Sequence, residues 1–393
     1  MKNYSILLLC LIFLTATSQG QNSTAITINC DKSVAIFNDS ISQHVRQVID
    51  QHAHESLADS VIDALSIGVY MNNVSFTEHY GELDRGKDNR PDDKTIYEIA
   101  SVTKTFTGTL AAQAVLEGKI KLDDDIRIYL PKEYDFSNLQ FKSESIQIKH
   151  LLTHTSGLPA NNKGFENIPD GLSESERAQV YYKNEKRQTK AMFFKHLSEI
   201  TIDTLPGTVF NYSNFGTNLM AFILKKAYEK DFQQLIQTEV IGKIGMPDTK
   251  FKLSKTEQKR LANGYIGSGE QVPQLPLAHT LWGAEGALKS TVPDMLKYIQ
   301  FQIDLENAIA QEAHRKLYEI DTDYWIGYFW WIIENMDHDL HYRHDGGALG
   351  TRNILLIYPE ANIGISIFTN KATDGVFENL SKLGRAIYDD LKK

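Results

Sequence analysis

Ser101 is followed three positions later by Lys104, in the run Ile99-Ala100-Ser101-Val102-Thr103-Lys104. On a helix, residues three apart share a face, so the hydroxyl and the amine can meet within hydrogen-bond reach. Such a pair is the raw material of a serine nucleophile with a built-in amine base. A lysine serves as a base only where its surroundings disfavour the ammonium form. A serine in the first turn of a helix also lies where free N–H groups and the helix dipole favour an oxyanion. The spacing alone is weak evidence, since a chain of this length holds on the order of one Ser-x-x-Lys by chance.

Two other places offer partners. Tyr212-Ser213-Asn214 follows the turn Leu205-Pro206-Gly207 and precedes an apolar helical pattern. Tyr212 is suited to shuttle a proton beside Lys104, and the Asn214 amide to hold a substrate carbonyl; taken alone, the triplet is an ordinary polar turn. His344-Asp345-Gly346-Gly347 precedes a β-rich segment and supplies glycines where a backbone can approach a substrate edge-on. A backbone N–H there, paired with that of Ser101, would make a two-donor oxyanion hole; taken alone, this is a glycine-rich turn into a strand with a surface histidine.

The chain of 393 residues is 42% hydrophobic, enough for a substantial core in one large domain or two packed ones. Its net charge is −9, with no lysine or arginine run, which argues against a nucleic-acid partner. Residues 1–20 read as a secretory signal: Lys2, then the apolar stretch Ile6 to Leu14, then small residues at Ala16, Ser18 and Gly20. That stretch is too short for a permanent membrane span, and no later one is long enough. The expectation is a secreted or periplasmic protein. A lipid anchor on Cys10 is not favoured, because Leu7-Leu8-Leu9 lacks a small residue before the cysteine. Removal of the signal leaves Cys30 alone, so no intrachain disulfide forms.

The elements that must position these residues follow from periodicity. After a polar leader at 21–38, Asn38 to His54 reads as an amphipathic helix, with Asp39 or Ser40 as its cap. Ser66 to Met71 and Val74 to Tyr80 read as a hairpin turned by Asn72-Asn73. Near the other end, Asn353 to Tyr358 and Ile363 to Thr369 read as strands, and Val376 to Lys393 as a terminal helix. Between them, Thr103 to Gly118, Ile148 to His154, Glu174 to Leu197, Gly216 to Tyr228 and Phe232 to Ile241 read as helices. The expected fold class is α/β (α+β): an antiparallel sheet with flanking helices built from both termini, plus an inserted all-helical subdomain. The expected boundaries are a catalytic domain at 39–393, its sheet part at about 39–98 and 265–393 and its helical part at about 99–264. Ser101 then falls at the junction of the two, where clefts usually lie.

In order along the chain, Ser101-x-x-Lys104, Tyr212-x-Asn214 and His344-x-Gly346 resemble the three motifs of the penicillin-recognising serine hydrolases. The resemblance is to the branch with class C β-lactamases, low-molecular-weight penicillin-binding DD-peptidases and lactamase-like esterases. Further matching segments are Ile99 to Phe106, His150-Leu151-Leu152-Thr153-His154-Thr155-Ser156-Gly157-Leu158-Pro159, and Gly286 to Thr291 with Asp294-Met295. The resemblance runs from about Ile41 to the C-terminus and implies the β-lactamase/transpeptidase-like fold. It also implies an acyl-enzyme on Ser101, proton management by Lys104 and Tyr212, and substrate binding by Asn214, His344, Gly346 and Gly347. The oxyanion would sit between the N–H groups of Ser101 and Gly347. No metal or organic cofactor is implied. The partner is a small-molecule or peptide substrate, and the oligomeric state stays open.

One departure matters, since many relatives carry lysine where this chain has His344. A histidine of ordinary pKa, ~6.5, is mostly neutral at neutral pH, so carboxylate recognition should be weaker or pH-dependent. That moves weight towards lactamase-like carboxylesterases and some D-amino-acid-specific peptidases. Arg352 either supplies the missing charge or is a solvated residue at a strand end. From another class comes a sensor that acylates without turnover, or a catalytically silent relative.

A zinc site is disfavoured. His150 and His154 belong to a segment that packing explains, and His338 and His341 would point oppositely on a strand. The absence of Gly-x-Ser-x-Gly argues against an α/β-hydrolase esterase. Tyr324-Trp325 and Trp330-Trp331 read as core aromatics, and Trp282 as a residue lining the cleft. Glu285 stands where relatives often carry a small residue.

Overall fold

The computed structural model describes residues 30–59, 61–163, 168–267, 270–272, 281–334 and 339–393. The expected signal peptide, Cys10 and His338 lie outside these residues. Eight antiparallel strands form the main sheet. In chain order they are β1 (Ala64–Met71), β2 (Val74–Gly81), β3 (Tyr318–Asp321), β4 (Tyr324–Gly327), β5 (Trp330–Glu334), β6 (Leu340–Gly347), β7 (Arg352–Tyr358) and β8 (Ile363–Thr369). Their order across the sheet is β2-β1-β8-β7-β6-β5-β4-β3. The first hairpin and the last strands of the chain therefore meet at the β1/β8 seam, paired from Ser66↔Phe368 to Met71↔Ile363. Asn72 and Asn73 close the first hairpin with φ of 50° and 66°, the left-handed pair that a tight two-residue turn needs. This is the expected antiparallel sheet built from both ends.

β7 and β8 are buried along almost their whole length because helices cover both faces. The helices used below are α1 (Cys30–Ala58), α2 (Thr103–Leu116), α3 (Glu174–Arg187), α4 (Lys190–Glu199), α5 (Asn214–Tyr228), α6 (Val292–Ile303) and α7 (Val376–Leu391). α6 lies so close to β1 and β8 that a Cβ on Gly68 would stand 2.6 Å from Val292 Cγ1, and one on Gly364 would stand 2.1 Å from Ile299 Cγ2. α7 packs on the opposite face, with Gly384 against Leu356 of β7. α1 joins α7 there through His52 Nε2 and Asp390 Oδ2, 2.8 Å apart.

Three boundaries differ from expectation. α1 starts at Cys30, so Asp39 and Ser40 lie within it and the polar leader is helical from there; 30–38 contains neither Gly nor Pro to stop it. The segment from Glu174 to Leu197 is two helices. Gln188 turns extended to donate to Lys163 O (3.1 Å), and the Thr189 hydroxyl caps α4 by accepting from Met192 N. Phe232 to Ile241 begins as an α-turn and widens into a π-helical stretch at Ile236–Ile241.

α2 runs through the middle, and every residue from Thr103 to Ala114 is buried. Its polar side chains lock onto α6: Tyr298 OH donates to Thr105 Oγ1 (3.0 Å) and Gln302 Nε2 to Thr109 Oγ1 (2.8 Å). Phe106 stacks on Tyr298 at 4.0 Å. The Tyr328-Phe329 turn presses on the other side, so that a Cβ on Gly108 would lie 2.0 Å from Tyr328 O. The helix that begins just after Ser101 is thus held by the sheet's own layer. Among the described residues, no helix is long and apolar enough to cross a membrane.

Candidate active site

Ser101 occupies a 3₁₀ turn, Ala100–Val102, that feeds directly into α2. Ala100 takes φ of +44°, a left-handed conformation that costs an alanine about 1–3 kcal/mol and is held only by the surrounding contacts. Strain of this kind next to a half-exposed serine fixes its direction. Lys104, one helical turn on, is completely buried. Its Nζ donates to Ser101 Oγ at 3.1 Å and to the Glu285 carbonyl at 2.6 Å. The backbone at Glu285 therefore anchors the amine.

Tyr212 stands over the same amine, with Lys104 Nζ 4.9 Å from its ring centroid. The ring is set from behind by His154, centroid to centroid 4.5 Å, which in turn packs on Phe329 at 5.2 Å. Ser213 N–H donates to His154 Nδ1 at 3.2 Å, so the proton of this neutral ring lies on Nε2. Burial, followed by the charge of Lys104, holds the His154 pKa well below its ordinary value. His154 is a packing residue, as expected, but what it packs is Tyr212.

The end of β6 closes the far side. Gly346 is pinned against the serine's turn, where a Cβ would stand 2.2 Å from Ile99 O and 2.5 Å from Asn353 Nδ2. Gly347 lines the cleft with Ser101, Tyr212 and His344, in a space of about 500 Å³. His344 is not the surface residue the sequence allowed; it is 2% exposed and its Nδ1–H donates to Asp345 O at 2.8 Å. Burial, then the Lys104 charge, lowers its pKa to about 3, so it stays neutral across the ordinary pH range. The expected pH-dependent charge at this position does not arise.

Arg352 lies on the cleft wall, donating from Nη1 to Thr351 O at 2.9 Å and to Ala348 O, with its guanidinium 5.2 Å from the Phe377 ring centroid. Asn214 is set apart from the other motif residues. Its Nδ2 donates to Asn161 Oδ1 at 2.9 Å, and it opens into a smaller inner cavity rather than onto the cleft. Trp282 does not line the cleft either. It is 2% exposed within a cluster of Phe193, Phe194 and Phe222, because the apolar faces of α4 and α5 converge on it.

Three cleft residues were not singled out from the sequence for this place. Trp331 was grouped with core aromatics, yet while Trp330 points into the core, its neighbour points to the cleft, as strand alternation requires. Tyr181 and Phe377 come from α3 and α7, and only the packing of those helices brings them here. His150 accepts from Gln147 N at 3.1 Å and closes the turn that starts its helix.

The family model described as Beta-lactamase matches residues 45–387. A beta-lactamase of Providencia stuartii is 24% identical over 351 residues, covering 86% of this chain and 83% of that one. Protein flp of Staphylococcus aureus (strain N315) is 27% identical over 337 residues, 83% of this chain but 63% of its own length, so the chain spans less than two thirds of that relative. Among solved structures, a beta-lactamase/D-alanine carboxypeptidase from Yersinia pestis, complexed with citrate, superposes with a TM-score of 0.73 at 23% identity, covering 89% of this chain and 99% of the other. An octameric penicillin-binding protein homologue from Pyrococcus abyssi gives 0.69 at 23% identity, over 87% and 75%. These structural likenesses concern the fold. The match from 45 to 387 covers all three motifs and both halves of the sheet, and it shows that this serine hydrolase belongs to the beta-lactamase family.

Proposed function

We propose that the unit His44–Lys393 is a catalytic domain that cleaves a small amide or ester through an acyl-enzyme on Ser101. The observation that carries this reading is the 3.1 Å contact between Ser101 Oγ and the Nζ of a fully buried Lys104. Ser101 Oγ attacks the substrate carbonyl carbon while Lys104, with Tyr212 beside it, takes the hydroxyl proton and returns it to the leaving group. The N–H groups of Ser101 and Gly347 receive the developing oxyanion. Water then hydrolyses the acyl-serine by the reverse proton path. The export signal read at residues 1–20 supports work outside the cytoplasm.

A second reading within the same chemistry is an esterase with little β-lactam turnover, and the buried neutral His344 favours it. Relatives with lysine there hold a permanent cation for a substrate carboxylate. Here the cation on the cleft wall is Arg352, held partly by backbone carbonyls. The test mixes the mature protein with a chromogenic cephalosporin and, separately, a p-nitrophenyl short-chain ester, while following turnover and protein mass. Turnover of either with an adduct on Ser101 is expected. Full turnover by Ser101→Ala overturns the mechanism.

A further inference from the structure

The cleft that holds Ser101 adjoins a second hollow of about 510 Å³. The two share Tyr181, Leu349, Arg352 and Phe377 among their lining residues, so they meet at a common threshold. There the Arg352 guanidinium lies 5.2 Å from the Phe377 ring centroid. The second hollow is bounded by α3, by the first turn of α7 and by the short strand Gly264–Ile266, which pairs in parallel with Lys371–Ala372.

Its floor and its rim differ. Ala178, Ile266 and Ala372 are 4%, 6% and 6% exposed and form an apolar cluster of their own, apart from the main core, with Leu349 packed against it. Arg177, Asp374 and Glu378 are exposed at the rim. With Arg352 they make two charges of each sign, and Glu378 is already paired with Lys382 at 2.8 Å, so the lining selects no single charge. Thr373 adds one hydroxyl, but its Oγ1 is buried without a partner among the described residues, so an apolar group laid over it breaks no hydrogen bond. What this floor rewards is apolar surface, by up to about fourfold in affinity for each methylene buried. An acetyl group, with its single methyl the size of a water at ~30 Å³, would leave the hollow empty. In the proposed reaction the leaving group takes its proton from Lys104 and Tyr212, and neither of them lines the second hollow. The part of a substrate that reaches it is therefore on the acyl side.

We infer that the hollow between α3 and α7 is a subsite for an extended apolar arm on the acyl part of the substrate, which crosses Arg352 and Phe377 and lies on Ala178, Ile266, Ala372 and Leu349. The preferred donors are then esters or amides of a medium-chain acid, of about six to ten carbons at ~30 Å³ each, in place of acetic acid. This deepens the proposed hydrolase reading and rests on it.

The test compares p-nitrophenyl acetate, butyrate and octanoate, with methyl and octyl acetate as the pair lengthened on the alcohol side instead. Octanoate should exceed acetate in kcat/KM by tenfold or more, mostly through KM, while octyl acetate gains little over methyl acetate. Ala178→Phe, which fills the floor, should shrink the octanoate-to-acetate ratio several-fold; a folded variant that keeps the full ratio overturns the location of the subsite. Acetate turnover equal to or better than octanoate turnover overturns the subsite and leaves the hydrolase intact. A gain confined to octyl acetate overturns the acyl assignment. No Ser101-dependent turnover of any of these esters overturns both readings. The wild-type ratios decide the matter even if the variant fails to fold.

Discussion

Gly346 has no room for a side chain, because a Cβ would stand 2.2 Å from the carbonyl oxygen of Ile99. This contact fixes the end of β6 against the turn that carries Ser101, and so sets the separation of the Ser101 and Gly347 N–H groups. Gly346→Ala should push the strand off that turn. Overpacking of this kind costs about 1–3 kcal/mol in stability. The expected kinetic loss is larger, ~10²-fold or more in kcat/KM, as for a lost oxyanion donor. Thermal melting and ester kinetics on the same sample check both; a variant with unchanged kinetics would detach Gly347 from the oxyanion.

Lys104→Ala should lower the acylation rate by a factor of ~10² to 10⁴, the usual worth of a general base. Ser101→Ala should abolish the adduct altogether while the protein still melts cooperatively. Intact-protein mass after mixing with a β-lactam or an ester reads both. An unchanged rate in the lysine variant would pass the proton to Tyr212 alone.

Because His344 is held neutral, with a pKa near 3, the preference for carboxylate-bearing over neutral donors should be flat between pH 5 and 8. A step in that ratio centred on ~6.5, the ordinary histidine value, would show that the imidazole charges in the free site after all. The measurement is kcat/KM for a matched pair of esters across that range.

Arg352→Ala should raise KM for carboxylate-bearing donors by about tenfold, a loss of roughly 1.4 kcal/mol. Neutral esters should be little affected, since the guanidinium lies on the cleft wall and away from Ser101's own hydrogen bonds. Equal losses for both donors would mean that Arg352 acts by packing on Phe377 instead.

Five buried histidines tie stability to pH. Burial is the largest cause of each shift: His150 and His341 fall to about 4, His314 and His344 to about 3, and His154 is held well below its ordinary value. Above pH ~6.5 these rings are neutral in both folded and unfolded chains. As pH falls below that, the unfolded chain takes up protons that the folded one refuses, so stability declines until the folded pKa values are reached. Each histidine contributes at most about 1.4 kcal/mol per pH unit in that window. Melting temperature should therefore fall between pH 6.5 and 4, and a rise there would contradict the burial of these rings.

The sequence by itself determined the pairing of Ser101 with Lys104, the Asn72-Asn73 hairpin and the terminal strands and helix, because each depends on spacing within a few residues. The order of the three motifs also pointed to the family. Tertiary structure decided what local pattern does not encode. Whether His344 is solvated or buried depends on how β6 meets the Ser101 turn. Trp331 faces the cleft and Trp282 the core because of which faces the sheet and helices cover. The inner cavity exists only because α3, α5 and the Glu285 turn converge, bringing together residues more than thirty positions apart. Periodicity tells which face of an element is apolar; only packing tells what that face, and the polar groups beside it, will meet.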